Sequence, residues 1–287
     1  MGRRLLACAA SGVAAAFVAA TANQQASEAQ LGSRWMRTNF AGKTVTLAEG
    51  PIAIVALLAG AAVDGLLDPS GRRRLPVALA GFGSGLVGGY DDLYGSSQAK
   101  GFRGHLRALR SGQLTSGMIK VIGVSVSAAT AAALVQRARP GCPKPACRVV
   151  DGLVDTTLIA ATANLTNLLD LRPGRAAKVI ILLGSGLVGF GSAPAVGATV
   201  GSLPTDLAAK SMLGDCGANA LGAAVGTAAA SALPRYLRMI AGAAVVALNL
   251  ASERVSFTAV IERTPLLHWL DQLGRPARVT AMPDRQA

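Results

Sequence analysis

Long apolar runs recur along the whole chain, and they constrain its fold more than any other feature. A helix needs about 20 apolar residues to cross a hydrocarbon core about 30 Å thick, and segments of roughly that length follow one another through most of the sequence. A mean hydropathy of +0.44 with only 15% charged residues excludes an ordinary soluble globule. We therefore predict an all-α fold, in the form of a polytopic membrane helical bundle.

The runs predict about nine transmembrane helices. Eight or ten remain alternatives, because glycines and two prolines interrupt the region between Val179 and Leu213. The first run also fits a secretory signal, since two arginines precede it and small residues end it. Little chain separates the runs, so we expect one membrane domain over residues 1–287, with a cytoplasmic loop and tail at residues 252–287. The predicted spans are Leu5–Ala22, Pro51–Leu67, Leu75–Asp91, Thr115–Gln136, Val149–Leu169, Val179–Phe190, Pro194–Leu213, Gly217–Leu233 and Tyr236–Ala251.

The net charge of +13 comes mainly from Lys and Arg in short segments between the spans. At such places the lipid bilayer, through its anionic headgroups, is the expected partner. We expect no nucleic-acid partner, because no basic patch is interleaved with aromatic residues. One set of loops carries 16 Lys and Arg residues and the opposite set carries 11. The positive-inside rule therefore places the first set, which includes residues 93–114 and 170–178, on the cytoplasmic side of the plasma membrane.

Two of the four cysteines lie close together in a proline-rich segment. Cys142 and Cys147, in "RARPGCPKPACR", are near enough to form a local disulfide if this loop faces an oxidising compartment. Two free thiols fit the same spacing. The four cysteines lack the spacing of metal ligands, so they predict no metal site.

A pair of carboxylates ends the third predicted span. Asp91 and Asp92 follow an almost wholly apolar run, and acidic groups at membrane depth usually pair, face a cavity or bind a cation. Adjacent acids repel each other, and Mg²⁺ would relieve that repulsion because it prefers carboxylate oxygens combined with phosphates and water. A solvated helix end is the alternative. The pair is the first of three acid-bearing motifs.

The second motif lies at the end of the fifth predicted span. Asn164, Asn167 and Asp170 are spaced by three residues, which places all three on one broad helix face. They are predicted to point into one cleft. Hydrogen bonding between helices by the asparagines is the alternative.

The third motif is the loop around Asp215. Gly214 and Gly217 flank this aspartate and permit a tight turn, and the helix that follows would present its positive end to an anion. The loop thus fits a phosphate and metal corner, with a plain glycine turn as the alternative. All three motifs are predicted on one membrane face, which is what phosphoryl transfer at a membrane surface requires. Basic residues lie close by in the sequence: Lys100, Arg103, His105, Arg107, Arg172 and Arg175.

These motifs occur in a recognisable order. "DD", then "NxxNxxD", then "GDxG", each at the predicted cytoplasmic end of a span, resembles the polyprenyl-phosphate N-acetylhexosamine-1-phosphate transferase superfamily over roughly Arg37 to Ala251. The resemblance implies a reaction that depends on Mg²⁺, with Mn²⁺ as an alternative ion. In that reaction a UDP-activated amino sugar gives its sugar 1-phosphate to a polyprenyl phosphate and releases UMP, as in cell-wall or surface glycan synthesis.

The resemblance also implies roles for particular residues. It makes Asp91, Asp92 and Asp170 catalytic, and it makes Asp91, Asp92 and Asp215 ligands of the metal. For substrate binding it suggests Asn167, Lys100 and Lys43, with Lys43 placed at the nucleotide and a plain amphipathic loop as the alternative. Asn164 joins this set because it shares the helix face of Asn167. Because Arg103 and His105 lie in the same loop as Lys100, our hypothesis is that they contact a lipid phosphate or diphosphate.

Departures from the family pattern keep other functions open. Gly95 stands where the family has a lysine, Pro173 where it has a second aspartate, and Ala218 where it has a serine. A segment with Glu253 and Arg254 replaces the family's histidine-rich loop, so we expect an altered sugar donor. One alternative is a catalytically silent homologue that binds lipid phosphate or serves as a scaffold. Another is a cation-coupled transporter, and association into a homodimer is left open.

Overall fold

The chain folds almost entirely into helices. The computed structural model describes residues 2–29, 31–39, 42–69, 73–95, 104, 108, 110–113, 115–139 and 145–276. Within these ranges each predicted span overlaps one helix of the series α1 to α9, which agrees with the predicted all-α fold. The helices are α1 (Gly2–Glu28), α2 (Glu49–Leu67), α3 (Arg74–Tyr94), α4 (Ser116–Ala138), α5 (Pro145–Leu169), α6 (Arg175–Ser185), α7 (Ala193–Leu207), α8 (Gly214–Ala232), α9 (Arg235–Ser252), α10 (Phe257–Arg263) and α11 (Pro265–Gln272).

Among the described residues, three helices, α1, α2 and α4, are long and apolar enough to cross a membrane. The pair α9 and α10 meets the same test together, although a bend of 99° separates the two helices. Large apolar side chains such as Leu66 and Leu182 are 79% and 76% exposed, as expected for a lipid-facing surface. By contrast, α6 has 11 residues and is only about 16 Å long, roughly half the thickness of the hydrocarbon core. These features support a membrane protein, while the number of nine spans stays a prediction.

Helix α8 runs through the centre of the bundle. It packs against α2, α3 and α5, and 15 of its 19 residues are buried. Most of these residues are Gly or Ala, which let neighbouring helices approach closely. At Gly222 a Cβ atom would lie 2.9 Å from the Cα atom of Ala163 on α5, a distance that Cβ atoms essentially never adopt. The small residues of α8 therefore allow the short packing distance between α8 and α5.

A short β-hairpin interrupts the helices between α1 and α2. Strands β1 (Met36–Thr38) and β2 (Thr44–Thr46) pair in antiparallel register, in the stretch between the first two predicted spans. The hairpin continues into the segment between α7 and α8. The Met212 N–H donates to the Thr46 carbonyl at 3.0 Å, and the Thr46 N–H donates to the Lys210 carbonyl at 3.2 Å. The hairpin is thereby fixed beside the N-terminus of α8.

Candidate functional site

Carboxylates from two other segments bind the N-terminus of α8. The Gly214 N–H donates to Oδ2 of Asp170 at 2.8 Å. The next two N–H groups, of Asp215 and Cys216, donate to Oδ1 and Oδ2 of Asp92 at 3.1 and 2.8 Å. The first N–H groups of a helix have no partner within it and attract negative charge, so these contacts stabilise both the helix and the carboxylates. We call Asp91, Asp92, Asp170 and Asp215 the acidic cluster.

These contacts change the picture of the "GDCG" turn. The sequence suggested that backbone N–H groups here receive a phosphate, but those of residues 214–216 donate to side chains of the protein. Gly214 adopts φ +62°, which favours glycine and supports the predicted tight turn. In this arrangement the N–H groups of the turn therefore bind the carboxylates of Asp92 and Asp170.

A lysine joins the remaining two acids of the cluster. The Lys120 Nζ lies 2.5 Å from Oδ2 of Asp215 and 3.1 Å from Oδ2 of Asp91. All three side chains are less than a quarter exposed. Two carboxylates held this close repel each other in a medium of low dielectric constant, and the ammonium between them offsets that repulsion. Lys120 thus ties α4 to both α3 and α8.

Glycines in α3 allow the acids to meet. A Cβ atom at Gly88 would lie 2.1 Å from the Asp215 carbonyl oxygen, so only glycine permits this crossing of α3 and α8. At Gly89 the nearest atom to such a Cβ is the Cys216 Sγ, at 3.4 Å, which is ordinary contact. Gly88 therefore determines how closely Asp91 and Asp92 approach α8.

A cavity of about 950 Å³ opens beside Asp91 and Lys120. Asn164 and Asn167 line it, as the sequence predicted for a common cleft. The Asn164 Nδ2 also donates to Oδ1 of Asn249 at 2.5 Å, which is the interhelical bond considered as the alternative. Amides both donate and accept hydrogen bonds, so the cavity wall suits a polar ligand. Further polar groups line the wall: Ser116, Ser125, Thr156, Thr157, Asn219, Asn249, Ser252 and Glu253.

Asp170 does not share that cavity, contrary to the prediction of one cleft. Helix α5 ends at Leu169, so Asp170 leaves the helical face that carries the two asparagines. It lines a separate cavity of about 290 Å³ beside Thr38 and Asn39 of the hairpin segment.

Asp170 is 5% exposed, and its carboxyl group has an altered acidity. Burial raises its pKa well above the ordinary value, and the nearby acids Asp206 and Glu49 raise it further. The bond from the Gly214 N–H opposes this shift. Folding therefore shifts the titration of Asp170 to higher pH.

The remaining predicted binding residues divide into two groups. Lys43 Nζ donates to the Ala208 carbonyl at 3.2 Å, so its side chain contacts the C-terminal end of α7. Lys100, Arg103 and His105 lie outside the described residues, and so does Cys142, one of the two cysteines for which a disulfide and free thiols were both considered.

Two residues of the site were missed in the sequence. Lys120 interrupts an apolar run, and a lone charge in such a run is usually paired, which is the signal that could have identified it. Arg37 donates through Nη2 to the Asp92 carbonyl. No sequence signal marks Arg37, because its contact depends on the hairpin.

The cluster fits a magnesium ion in part. No group of three or more His, Cys, Asp or Glu side chains among the described residues is arranged to hold a metal. Asp92 fits less well than the other two predicted ligands, because each of its oxygens already accepts one backbone N–H group. Asp91 and Asp215 fit better, since they already share one cation, and Mg²⁺ often takes one or two carboxylates with waters and substrate phosphates.

Comparison with known proteins gives no relative. A scan against protein-family models finds no matching family, and a search of the curated proteins finds no match. A function must therefore be argued from the acidic cluster and its cavity.

Proposed function

We propose that the protein transfers a sugar 1-phosphate from a UDP-amino sugar to a polyprenyl phosphate. In this proposal the chain crosses the plasma membrane about nine times, and the acidic cluster faces the cytoplasm. The observation that carries the proposal is the meeting of Asp91, Asp92, Asp170 and Asp215, from three distant segments, around one helix N-terminus. The motif resemblance supports the same reaction. Asp91 of the acidic cluster also lines a polar cavity whose size suits a substrate.

The proposed reaction is an attack of one phosphate on another. An oxygen of the polyprenyl phosphate attacks the sugar-bearing phosphorus of the donor, a new P–O bond forms, and the bond to the bridging oxygen of UMP breaks. Asp91 lines the cavity, which places one of the two proposed metal ligands where the substrate would bind. A Mg²⁺ ion held by Asp91 and Asp215 would neutralise the charge of the diphosphate. The amides of Asn164 and Asn167 would orient the substrate in the cavity.

Lys120 has a specific place in this proposal. The family resemblance expects a lysine four residues after the aspartate pair begins, where this chain has Gly95. Lys120 brings an ammonium to Asp91 from α4 instead. We infer that it replaces the missing lysine, since phosphoryl transfer depends on cations placed at the phosphates and not on their position in the sequence.

The proposal predicts a reaction that needs three components. Purified protein in detergent should release UMP from a UDP-amino sugar only when Mg²⁺ and polyprenyl phosphate are both present. A panel of UDP-sugars covers the altered donor specificity expected from the departures from the family pattern, including the segment with Glu253 and Arg254. Absence of UMP release across the panel, with folded protein, contradicts the proposal.

A silent homologue is the second candidate. It is favoured by the observation that the N–H groups of residues 214–216 and the ammonium of Lys120 all bind carboxylates of the protein. Asp215→Asn separates the two candidates, because a scaffold would still complement a deletion strain and an enzyme would not. The transporter is less favoured, since Asp91, Asp92 and Asp215 lie at helix ends and not at their midpoints.

A further inference from the structure

A second large cavity lies at the other end of the bundle from the acidic cluster. Its volume is about 890 Å³, and residues at the beginning of α3 line it, whereas Asp91 and Asp92 lie at the end of the same helix. We call it the arginine cavity, because four arginines line it: Arg3, Arg4, Arg73 and Arg74. Neither the proposed reaction nor the acidic cluster involves this cavity.

The wall of the arginine cavity carries an excess of positive charge. Four guanidinium groups face two carboxylates, those of Asp64 and Asp68. Arg4 approaches Asp68 only to 3.7 Å, and its side chain is 71% exposed. The Asp68 side chain is only 13% exposed, but the arginine is largely in solvent and the contact is long, so the pair contributes little and Arg4 is available to another anion.

The existing hydrogen bonds leave donors on these arginines. Arg3 donates through Nε to the Leu67 carbonyl at 2.8 Å, and Arg73 donates through Nη1 to the Gly189 carbonyl at 3.1 Å. Arg73 also stacks on Phe190, with its Cζ 4.6 Å from the ring centroid, which orients the guanidinium. A guanidinium has five N–H donors, and the hydrogen bonds above use only one nitrogen of Arg3 and one nitrogen of Arg73.

Helix ends add to the positive potential. Helices α1, α3 and α7 all begin at this cavity, and their first residues line it. Helix N-termini carry partial positive charge and free N–H groups. Helix α2 ends here with the opposite polarity, but Arg3 and Arg74 already donate to the carbonyls of Leu67, Asp68 and Pro69.

We propose that the arginine cavity binds a phosphate group. Planar guanidinium groups bind phosphate oxygens with two parallel N–H bonds, and the cavity volume accommodates a group as large as a lipid headgroup. The phosphate belongs either to an anionic lipid of the leaflet at this end or to a small soluble anion. The site is independent of the proposed transfer reaction.

The test compares variants of the full-length protein in detergent. Short-chain phosphatidylglycerol, inorganic phosphate and short-chain phosphatidylcholine are each titrated while the thermal unfolding midpoint is recorded. Arg73→Gln removes one cavity arginine, and Arg73→Lys keeps its charge. Arg137→Gln is the matched control, because Arg137 is exposed in the last turn of α4 at the same end and does not line the cavity.

The wild type and Arg137→Gln should show saturable stabilisation by phosphatidylglycerol or by phosphate. Arg73→Gln should weaken the binding roughly tenfold, as expected for the loss of one charge-assisted contact, with partial recovery in Arg73→Lys. A response to phosphatidylglycerol alone identifies a lipid headgroup, and a response to phosphate identifies a free anion. Should Arg73→Gln fail to fold, Arg4→Gln, at a largely exposed side chain, takes its place.

Two results would overturn the proposal. One is the absence of saturable stabilisation by either anion. The other is binding that does not depend on charge, seen as equal binding by the cavity variant and the Arg137→Gln control, or as equal stabilisation by phosphatidylcholine, whose headgroup has no net charge, and by anionic phosphatidylglycerol.

Discussion

Lys120 is the residue on which the geometry of the acidic cluster most depends. It contacts one carboxylate from α3 and one from α8, and these would otherwise face each other without a cation. A buried pair that loses one partner costs several kcal/mol, because the other charge stays in a poorly solvated place.

Lys120→Met should therefore lower the stability of the folded protein. In a double-mutant cycle with Asp215→Asn, we expect a coupling energy of about 1–3 kcal/mol, since the double variant removes both charges. Thermal unfolding in detergent measures it. Lys210→Met, at an exposed lysine, is the control and should change stability by less than about 0.5 kcal/mol. Additive effects of the two cluster substitutions would contradict the ion-pair role.

The burial of Asp170 should also make the stability of the folded protein depend on pH. Its raised pKa means that the folded protein binds this proton more tightly than the unfolded chain does. The stability that this bound proton contributes is fully present below the pKa of Asp170 in the unfolded chain, about 3.9. It is lost as the pH rises through the pKa of Asp170 in the folded protein.

Asp170→Asn keeps an acceptor for the Gly214 N–H but removes the charge. The variant should gain stability over the wild type as the pH rises, and its proposed transferase activity should be lost. Unfolding midpoints between pH 5 and 8 measure the difference. A difference independent of pH would show that Asp170 does not titrate as described.

At the scale of the helices, one glycine determines how α3 crosses α8. Gly88→Ala would place a Cβ atom 2.1 Å from the Asp215 carbonyl oxygen, so the helices must separate. We expect a loss of about 1–3 kcal/mol of stability, together with loss of the proposed activity.

Gly89→Ala is the matched control for this crossing. Its Cβ atom would meet the Cys216 Sγ at 3.4 Å, and alanine has the better helix propensity. The variant should be as stable as the wild type or more so. Equal behaviour of the two alanine variants in thermal unfolding would show that the close approach at Gly88 is not required.

At the same scale, the helices were easier to predict than their ends. Apolar runs locate α1 to α9 because burial and lipid contact both select apolar residues. The hairpin was not predicted, because each strand has three residues and depends on bonds to the segment around Ser211. Asp170 was misplaced for a similar reason. The helical period locates a residue only as far as the helix continues, and α5 ends one residue earlier.

At the scale of the whole molecule, the two ends of the bundle carry different chemistry. Carboxylates gather at the N-terminus of α8, and arginines gather where α1, α3 and α7 begin. The order of the sequence motifs predicted which acids belong together. It could not predict that Asp92 would bind backbone N–H groups or that Lys120 would reach the cluster, because both contacts depend on how the helices cross.

We propose that Asp91 and Asp215 hold a divalent cation where they now share the Lys120 ammonium. Anomalous diffraction from crystals grown with Mn²⁺ tests it most directly, because the ion is located without reference to activity. We expect one anomalous peak within bonding distance of both carboxylates, and no such peak in crystals of Asp215→Asn. No peak at this position in the wild type, or a peak that persists in the variant, would contradict the claim.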